Sequence, residues 1–180
     1  ARPGVRTPTA RAAGLADLLI VIDAQERYGY RFAAKQVQTE RRRLSAGDYA
    51  VERDGHTVAA VERKSLADLV ASLTSGKLTY QLSDLAALPR AAVVVEDRYS
   101  AVFKLDRVRP AVVLDGLAEQ QVRYPTVPIV FCETRSLAEE WTYRFLAAAY
   151  SHELDRADTD ARTAGAERPA SNAEIRAWAR

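Results

Sequence analysis

The sequence is poor in sulfur, which limits how the fold can be stabilised. Cys132 is the single cysteine among 180 residues, and methionine is absent. One thiol cannot form an internal disulfide or a thiolate zinc site. A chain of this length can nevertheless bury enough apolar surface to fold without either. The missing methionine leads us to expect a fragment or a trimmed chain.

Long apolar runs are missing as well. No run approaches the roughly 18 residues that a membrane-spanning helix requires, and no signal peptide is recognisable. We therefore expect a cytoplasmic protein that does not associate with membranes. The formal net charge is only +2, so charge alone predicts no nucleic-acid partner.

Lysine is rare and occurs only as Lys35, Lys64, Lys77 and Lys104. The remaining basic residues are arginines, whose bidentate fork suits phosphate recognition. A GC-rich genome explains the larger share of this bias. In such a sequence, Lys64 occupies a position where lysine is chemically hard to replace.

Apolar runs alternate with amphipathic segments along the chain. Residues 18–22 and 92–95 are continuous apolar runs, typical of strands buried on both faces. Two further strands are predicted on either side of Asp54-Gly55, a strong hairpin signal. These two strands cover residues 49–53 and 57–64; the other predicted elements are strands over residues 37–44 and 127–132 and helices over residues 30–36, 66–73, 77–88, 110–122 and 137–152. This alternation predicts an α/β fold whose mixed central sheet is flanked by helices on both faces.

Composition divides the chain into a folded domain and its flanks. Residues 1–16 are rich in proline, glycine and arginine and are expected to form a loose leader. Residues 17–153 carry the predicted elements and are expected to form one domain. Residues 154–170 are small and polar, as in a linker. Residues 171–180 begin with a helix-capping serine and predict a short amphipathic segment at the end of the chain.

The pattern that indicates chemistry lies in the predicted hairpin. Residues two apart on a strand share a face, so Glu62 and Lys64 project together while Arg63 points away. Asp48 lies across from Glu62 if the pairing is centred on Gly55. That register requires a loop of three or five residues, or a bulge. An unbroken ladder with a two-residue turn would send the two acids to opposite faces.

Converging carboxylates require a cation. Asp48 and Glu62 repel each other, and Asp23 at the end of the first predicted strand is expected to join them. Without a cation, at least one of these acids is pushed towards protonation. Mg²⁺ or Mn²⁺ resolves the repulsion, because hard cations prefer oxygen ligands. Lys64 would steady the attacking water or the developing negative charge, and Asp68 would orient Lys64 or stabilise the next helix.

Gly47-Asp48, Glu62-Arg63-Lys64 and Asp68 follow one another at a characteristic spacing. The pattern resembles the signature of the XPF-type (Mus-type) structure-specific endonuclease domain, which is Gly-Asp followed by Glu-Arg-Lys-x-x-x-Asp. The resemblance extends over roughly residues 18–150. It implies the fold of the restriction-endonuclease-like superfamily and cleavage of branched or flapped DNA.

The resemblance also implies roles for individual residues: metal binding by Asp23, Asp48 and Glu62, and catalysis by Lys64. The chain departs from the family after its first acid, where the family has x-Arg-Glu and this chain has Ala24-Gln25-Glu26. No tandem helix-hairpin-helix module is recognisable after residue 150. Residues 174–180 are instead similar to the start of the DNA-binding domain of actinobacterial nucleoid-associated silencer proteins, which predicts association with the nucleoid.

Candidate DNA contacts surround the predicted site. Arg41 and Arg43 belong to an arginine run that could reach phosphates, although alternation along a strand leaves some of these side chains merely solvated. Lys77 and Gln81 lie one helical turn apart and could touch the DNA backbone, or simply form a polar helix face. Arg63, within the Glu-Arg-Lys motif, is the fifth candidate.

The predicted helix over residues 137–152 has two apolar stripes. One stripe is suited to the core and consists of Leu137, Trp141, Phe145 and Ala148. A second stripe consists of Tyr143, Ala147 and Tyr150 and predicts a homodimer through this helix. Coverage by the C-terminal segment is the alternative.

We interpret the chain as a metal-dependent DNA endonuclease that hydrolyses phosphodiesters in branched or flapped DNA during repair or recombination. The alternative is a catalytically silent nuclease-fold module that binds DNA or a partner nuclease. Silent modules usually lose a motif residue, and this sequence keeps the whole motif. An interaction domain unconnected with DNA would make the motif a coincidence.

Overall fold

A six-stranded mixed sheet organises residues 11–166, the part of the chain that the computed structural model describes. The strands are β1 (Leu19–Asp23), β2 (Gln38–Arg42), β3 (Tyr49–Arg53), β4 (His56–Lys64), β5 (Ala91–Val95) and β6 (Ile129–Phe131). They lie in the order β2-β1-β3-β4-β5-β6. The pairs β1–β3 and β3–β4 are antiparallel, and the other three are parallel. The predicted mixed sheet is confirmed.

Helices cover both faces of this sheet. They are α1 (Leu66–Thr74), α2 (Lys77–Ala86), α3 (Pro110–Arg123) and α4 (Arg135–Ala166), with a short 3-10 helix over Tyr99–Lys104. Neighbouring residues of β4 face opposite ways, as a strand requires: Ala60 packs with the apolar residues of α1, α2 and α3, and Val61 packs with those of α4. None of the helices within residues 11–166 has the length and apolar character to cross a membrane.

The β3–β4 hairpin combines a tight turn with a bulge. Asp54 and Gly55 both have positive φ, 50° and 77°, as the commonest two-residue hairpin turn requires. The ladder shifts between Val51 and Glu52, which leaves Val58 without a partner on β3. Beyond the shift, Tyr49 pairs with Val61. The bulge therefore restores the register that the sequence predicted, and the bulge alternative of that prediction is confirmed.

Several local predictions were wrong. Residues 30–36 form turns rather than a helix, and Phe32 adopts a φ of 51° within them. The 3-10 helix over Tyr99–Lys104 was not predicted. Helix α4 continues to Ala166, through most of the expected linker, because the residues after His152 are largely good helix formers. The predicted division into domains stays a prediction.

The two stripes of α4 have the opposite roles from those predicted. Tyr143 and Ala147 are buried in the protein's own core, whereas Trp141 and Phe145 are only partly buried. Both stripes are apolar, so periodicity alone could not tell which one faces the sheet. Residues 1–10 and 167–180, which include the possible DNA-binding module, lie outside the described part of the chain.

Candidate active site

A cleft of about 370 Å³ opens at the end of the sheet where β4 ends and β3 begins. It brings together four residues of the predicted catalytic set, Asp48, Glu62, Lys64 and Asp68. The remaining lining residues are Glu26, Arg63, Ala71, Ser72, Ser75, Lys77 and Gln81. The end of the sheet, the start of α1 and one face of α2 thus enclose a strongly polar surface.

Backbone hydrogen bonds fix the position of Asp48. Its N–H donates to the carbonyl of Val61 at 2.9 Å, and its own carbonyl accepts from the N–H of Asp23 at 2.8 Å. The side-chain Oδ2 accepts from the N–H of Arg63 at 2.7 Å. These bonds continue the hairpin beyond β3 and hold the Asp48 carboxylate beside Glu62, as the predicted register requires.

Gly47 explains why a glycine precedes this aspartate. Its φ is 79°, a region that L side chains rarely adopt. A Cβ at this position would lie 3.1 Å from the Cβ of Ala60 and 3.2 Å from the carbonyl oxygen of Val61. Glycine therefore lets the backbone lie directly on β4 just before Asp48.

Glu62 and Lys64 point together into the cleft. The Lys64 Nζ lies 3.6 Å from Glu62 Oε1 and 3.4 Å from Ser72 Oγ of α1. Gln81 of α2 donates to the same Glu62 oxygen at 3.3 Å. The Lys64 side chain is only 5% exposed. A lysine with so little water around it presents its charge directly to whatever enters the cleft.

The two carboxylates disfavour each other's charge. Burial raises the pKa of Asp48, and the nearby charge of Glu62 adds to this, giving a pKa of about 7. Burial also raises the pKa of Glu62, with Lys64 offsetting part of the effect. Two acids of this kind are destabilised when both are ionised, and a bound cation relieves that cost.

The donor set therefore fits a metal held by two carboxylates. Within residues 11–166, no group of three or more histidine, cysteine, aspartate or glutamate side chains is arranged to hold a metal ion. Mg²⁺ usually binds through one or two carboxylates together with waters and substrate phosphates. Asp48 and Glu62 meet that smaller requirement, and hard oxygen donors favour Mg²⁺ or Mn²⁺ over softer ions.

Asp68 lies at the rim of the cleft in the first turn of α1. Its backbone N–H donates to the hydroxyl of Ser65, the N-cap residue, at 3.1 Å. A carboxylate in this position also complements the helix dipole. The predicted N-cap is confirmed. Because Ser65 directly follows Lys64 in the sequence, α1 begins at the cleft.

Asp23 is not brought into the cleft with the other acids. Its Oδ1 accepts from the N–H of Leu44 at 2.8 Å, and its Oδ2 accepts from the N–H of Gln25 at 3.1 Å. Both carboxylate oxygens thus hold the loops that follow β1 and β2. The buried residue that does reach the cleft from this side is Glu26, three positions later.

Glu26 was missed as a site residue, although the sequence contained a signal for it. The family pattern has a glutamate three positions after the first acid, and Glu26 occupies that position. Its two oxygens accept from Nη2 and Nε of Arg63 at 3.1 and 3.2 Å. Burial opposes its ionisation, but the bonds from Arg63 and from the N–H of Tyr28 outweigh burial and hold its pKa below the ordinary value.

Arg63, a predicted DNA contact, is bound by acidic side chains of the fold. Besides Glu26 it contacts Glu96, with Nη1 3.3 Å from Oε1, and its side chain is 17% exposed. The same Glu96 oxygen accepts from Arg135 at 3.2 Å and from the Tyr30 hydroxyl at 2.9 Å. This network, Glu26–Arg63–Glu96–Arg135, ties the end of β4 to the start of α4.

Of the other four predicted DNA contacts, two line the cleft and two do not. Lys77 and Gln81 of α2 line the cleft. Arg41 and Arg43 do not line it: Arg41 donates to the carbonyl of Glu26, and Arg43 is exposed just beyond β2. Both arginines nevertheless lie at the end of the sheet where the cleft opens, because β2 runs parallel to β1.

Comparisons with known proteins agree with this fold. A family model described as "ERCC4 domain" matches residues 22–145. A solved structure of XPF from Aeropyrum pernix is 23% identical with a TM-score of 0.58, covering 81% of this chain and 69% of that chain. A second, XPF from Aeropyrum pernix in complex with DNA, is 22% identical with a TM-score of 0.55, covering 88% of this chain and 70% of that chain. The likeness confirms the predicted restriction-endonuclease-like fold. No curated protein matches the sequence.

The raised pKa of Asp48 makes a testable prediction for the metal-free protein. An acid whose folded pKa exceeds its unfolded value costs stability as the pH rises, here between about pH 4 and about pH 7. The Asp48→Asn variant keeps an acceptor for Arg63 and removes the buried charge. With EDTA present, we expect it to melt several degrees above the wild type near pH 8, since each kcal/mol shifts Tm by about 2–4 °C.

Near pH 4 the two melting temperatures should converge, because Asp48 is then protonated. Asp84→Asn, on the exposed face of α2, is the matched control and should melt with the wild type at both pH values. An Asp48→Asn variant that melts at or below the wild type near pH 8 would contradict the assigned repulsion.

Proposed function

Since the chain belongs to the ERCC4 domain family, we propose that it is a divalent-metal-dependent endonuclease that hydrolyses phosphodiester bonds in DNA. The observation that carries the proposal is the pair of partly buried carboxylates, Asp48 and Glu62, beside the buried Lys64 in one open cleft. The XPF of Aeropyrum pernix has been solved in complex with DNA, which supports DNA as the substrate class. We further propose branched or flapped DNA, cleaved during repair or recombination at the nucleoid.

Asp48 and Glu62 are the proposed metal ligands. Oδ2 of Asp48 already accepts the N–H of Arg63, which leaves Oδ1 available and limits the rotation of the carboxylate. When bound, Mg²⁺ or Mn²⁺ polarises the phosphoryl oxygen and lowers the pKa of a water that attacks phosphorus. We leave Asp23 out of the ligand set, because both of its oxygens accept backbone N–H groups.

Lys64 is the proposed catalytic cation. Its ammonium is held between Glu62 and Ser72, so it needs little reorganisation when negative charge develops on the phosphate. Preorganised charge in a site with little water is the most effective kind of transition-state stabilisation. Asp68 lies in the first turn of α1, where its carboxylate complements the helix dipole at the rim of the cleft.

DNA would approach along α2 and the end of β2. Lys77 and Gln81 line the cleft on one side, and Arg41 and Arg43 lie on the other side of the same sheet end. Contacts of this kind to phosphates position the duplex without reading its sequence. We assign Arg63 a positioning role, because its guanidinium is already bound by Glu26 and Glu96.

We also propose a homodimer through α4, on the stripe that the fold leaves open. Trp141 and Phe145 stack with their ring centroids 4.9 Å apart. With Leu137 and Phe131 they line an apolar groove of about 620 Å³ beside β6, which is the edge strand of the sheet. Stacked aromatic side chains beside an unpaired edge are suited to a second copy of the chain.

The silent-module alternative keeps one specific observation in its favour. With Asp23 engaged by backbone groups, the proposed ligand set is reduced to Asp48 and Glu62, and Asp48 is inclined to bind a proton instead. Such a site would bind DNA through Lys77 and Gln81 without cutting it.

Cleavage of a panel of flapped, forked and linear DNAs tests the endonuclease. We expect the wild type to cut flapped or forked DNA with Mg²⁺ or Mn²⁺ and to be inactive in EDTA. Asp48→Ala should slow cleavage more than about 100-fold, beyond the loss typical of groups that only orient a ligand. Asp84→Ala, an acid on the exposed face of α2, should cut like the wild type.

Equal cleavage by the wild type and Asp48→Ala would remove the assignment. Binding without cleavage by the wild type would support the silent module.

Sedimentation velocity of the whole chain tests the dimer. We expect Trp141→Glu to shift the protein to monomer, because it places a charge in the apolar groove. The matched control is Val122→Glu, on α3 and 82% exposed, which should remain dimeric. A wild type that sediments as a monomer at high concentration would contradict the dimer.

A further inference from the structure

Two tyrosines with exposed rings adjoin residues that line the cleft, although neither lines it. Tyr28 and Tyr80 are each 75% exposed, more than any other aromatic side chain in residues 11–166. Single exposed apolar side chains are ordinary on protein surfaces. These two tyrosines differ from such cases because their backbones are held next to residues that line the cleft.

The backbone of Tyr28 is held on both sides by charged groups of the site. Its N–H donates to Oε1 of Glu26 at 3.0 Å, and its carbonyl accepts from the guanidinium of Arg135. Glu26 and Arg135 belong to the network that fixes Arg63. The fold thus anchors the peptide of Tyr28 firmly and leaves its ring unburied.

Tyr80 is also an exposed residue beside the cleft, and here a helix holds its backbone. It lies on α2 next to Gln81 and one turn after Lys77, both of which line the cleft. The opposite face of α2 is buried through Leu78, Leu82 and Leu85, so the helix cannot turn to bury the ring. The backbone of Tyr28 is bonded to Arg135 at the start of α4, and α2 and α4 cover opposite faces of the sheet, so the two tyrosines are attached on opposite sides of the sheet.

We propose that Tyr28 and Tyr80 are stacking platforms for unpaired DNA bases on the two sides of the scissile phosphate. The inference rests on the proposed function, in which that phosphate enters the cleft. Base–aromatic stacking tolerates any sequence, because every base has a π-face. Basic residues lie close in sequence to both tyrosines and could contact the adjoining phosphates: Arg27 and Arg31 for Tyr28, and Lys77 for Tyr80.

This pairing of rings and cations selects a substrate class. In continuous duplex DNA, the bases are already stacked on one another and have no free face for a protein ring. Unpaired nucleotides at a flap, fork or gap have such a face. The two tyrosines therefore favour DNA that contains single-stranded nucleotides at the cleft and contribute little to binding of a plain duplex.

Binding measurements without cleavage test the proposal. Tyr28→Leu and Tyr80→Leu are made in the Asp48→Asn background, and binding to forked DNA and to plain duplex is followed by fluorescence anisotropy in EDTA. We expect each Leu variant to weaken binding to forked DNA roughly 5- to 100-fold and to leave duplex binding within about two-fold. Tyr28→Phe and Tyr80→Phe keep the ring and should bind like the parent.

A second readout detects the stacking itself. 2-Aminopurine placed at the unpaired positions should lose fluorescence on binding to the parent protein and to the Phe variants, and keep it with the Leu variants. Tyr124→Leu, at the far end of the sheet beyond α3, is the control and should match the parent. Circular dichroism spectra check that every variant is folded.

Leu variants that bind forked DNA like the parent, or that lose duplex and forked DNA equally, would overturn the proposal. So would unchanged 2-aminopurine fluorescence on binding of the parent. The failure of the proposed function has a different signature, since a protein without nuclease activity would show the stacking signals and no metal-dependent cleavage. Cleavage of forked DNA by Tyr28→Leu and Tyr80→Leu at the wild-type rate would overturn the stacking proposal alone.

Discussion

The site depends on the register of one β-hairpin. Pairing between β3 and β4 continues past Tyr49, so that the backbone of Asp48 bonds to Val61 and its carboxylate to the N–H of Arg63. The two-residue turn at Asp54-Gly55 would by itself place Asp48 and Glu62 on opposite faces. The bulge at Val58 reverses this, and the glycine before Asp48 lets the chain approach β4 closely enough. The two carboxylates therefore meet only because the irregularity at Val58 corrects the ladder.

A second constraint balances the charge that the hairpin brings together. Arg63 points away from Glu62 and Lys64, as alternation along a strand requires, and is bound by Glu26 and Glu96 on the α4 side of the sheet. That pairing lets the peptide of Arg63 serve as a fixed donor to Asp48. It also connects the end of β4 at the cleft to the start of α4 through Arg135. The three residues of the Glu-Arg-Lys motif thus differ in their contacts: Glu62 and Lys64 contact each other in the cleft, and Arg63 contacts Glu26 and Glu96.

Local patterns in the sequence predicted much of this and failed where distant residues decide. Alternation on β4, the Asp-Gly turn and the N-cap at Ser65 depend on neighbouring residues, and all three were predicted. The partners of Arg63 lie 37 and 33 residues away, so no local pattern could identify them. Asp23 was predicted as a ligand because it ends the first strand, yet loop N–H groups bind both of its oxygens. The outer and inner stripes of α4 were exchanged, because helical periodicity describes faces and does not say which face meets the sheet.

The central claim is that Asp48 and Glu62 together form one metal site. The most direct test is a titration of the metal-free protein with Mn²⁺ near pH 8, following the free ion by electron paramagnetic resonance. The account predicts one bound Mn²⁺ per chain in the wild type, loss of that binding in Asp48→Ala and in Glu62→Ala, and no loss in Asp23→Ala if that variant folds. Binding of Mn²⁺ that survives in Asp48→Ala and Glu62→Ala would contradict it.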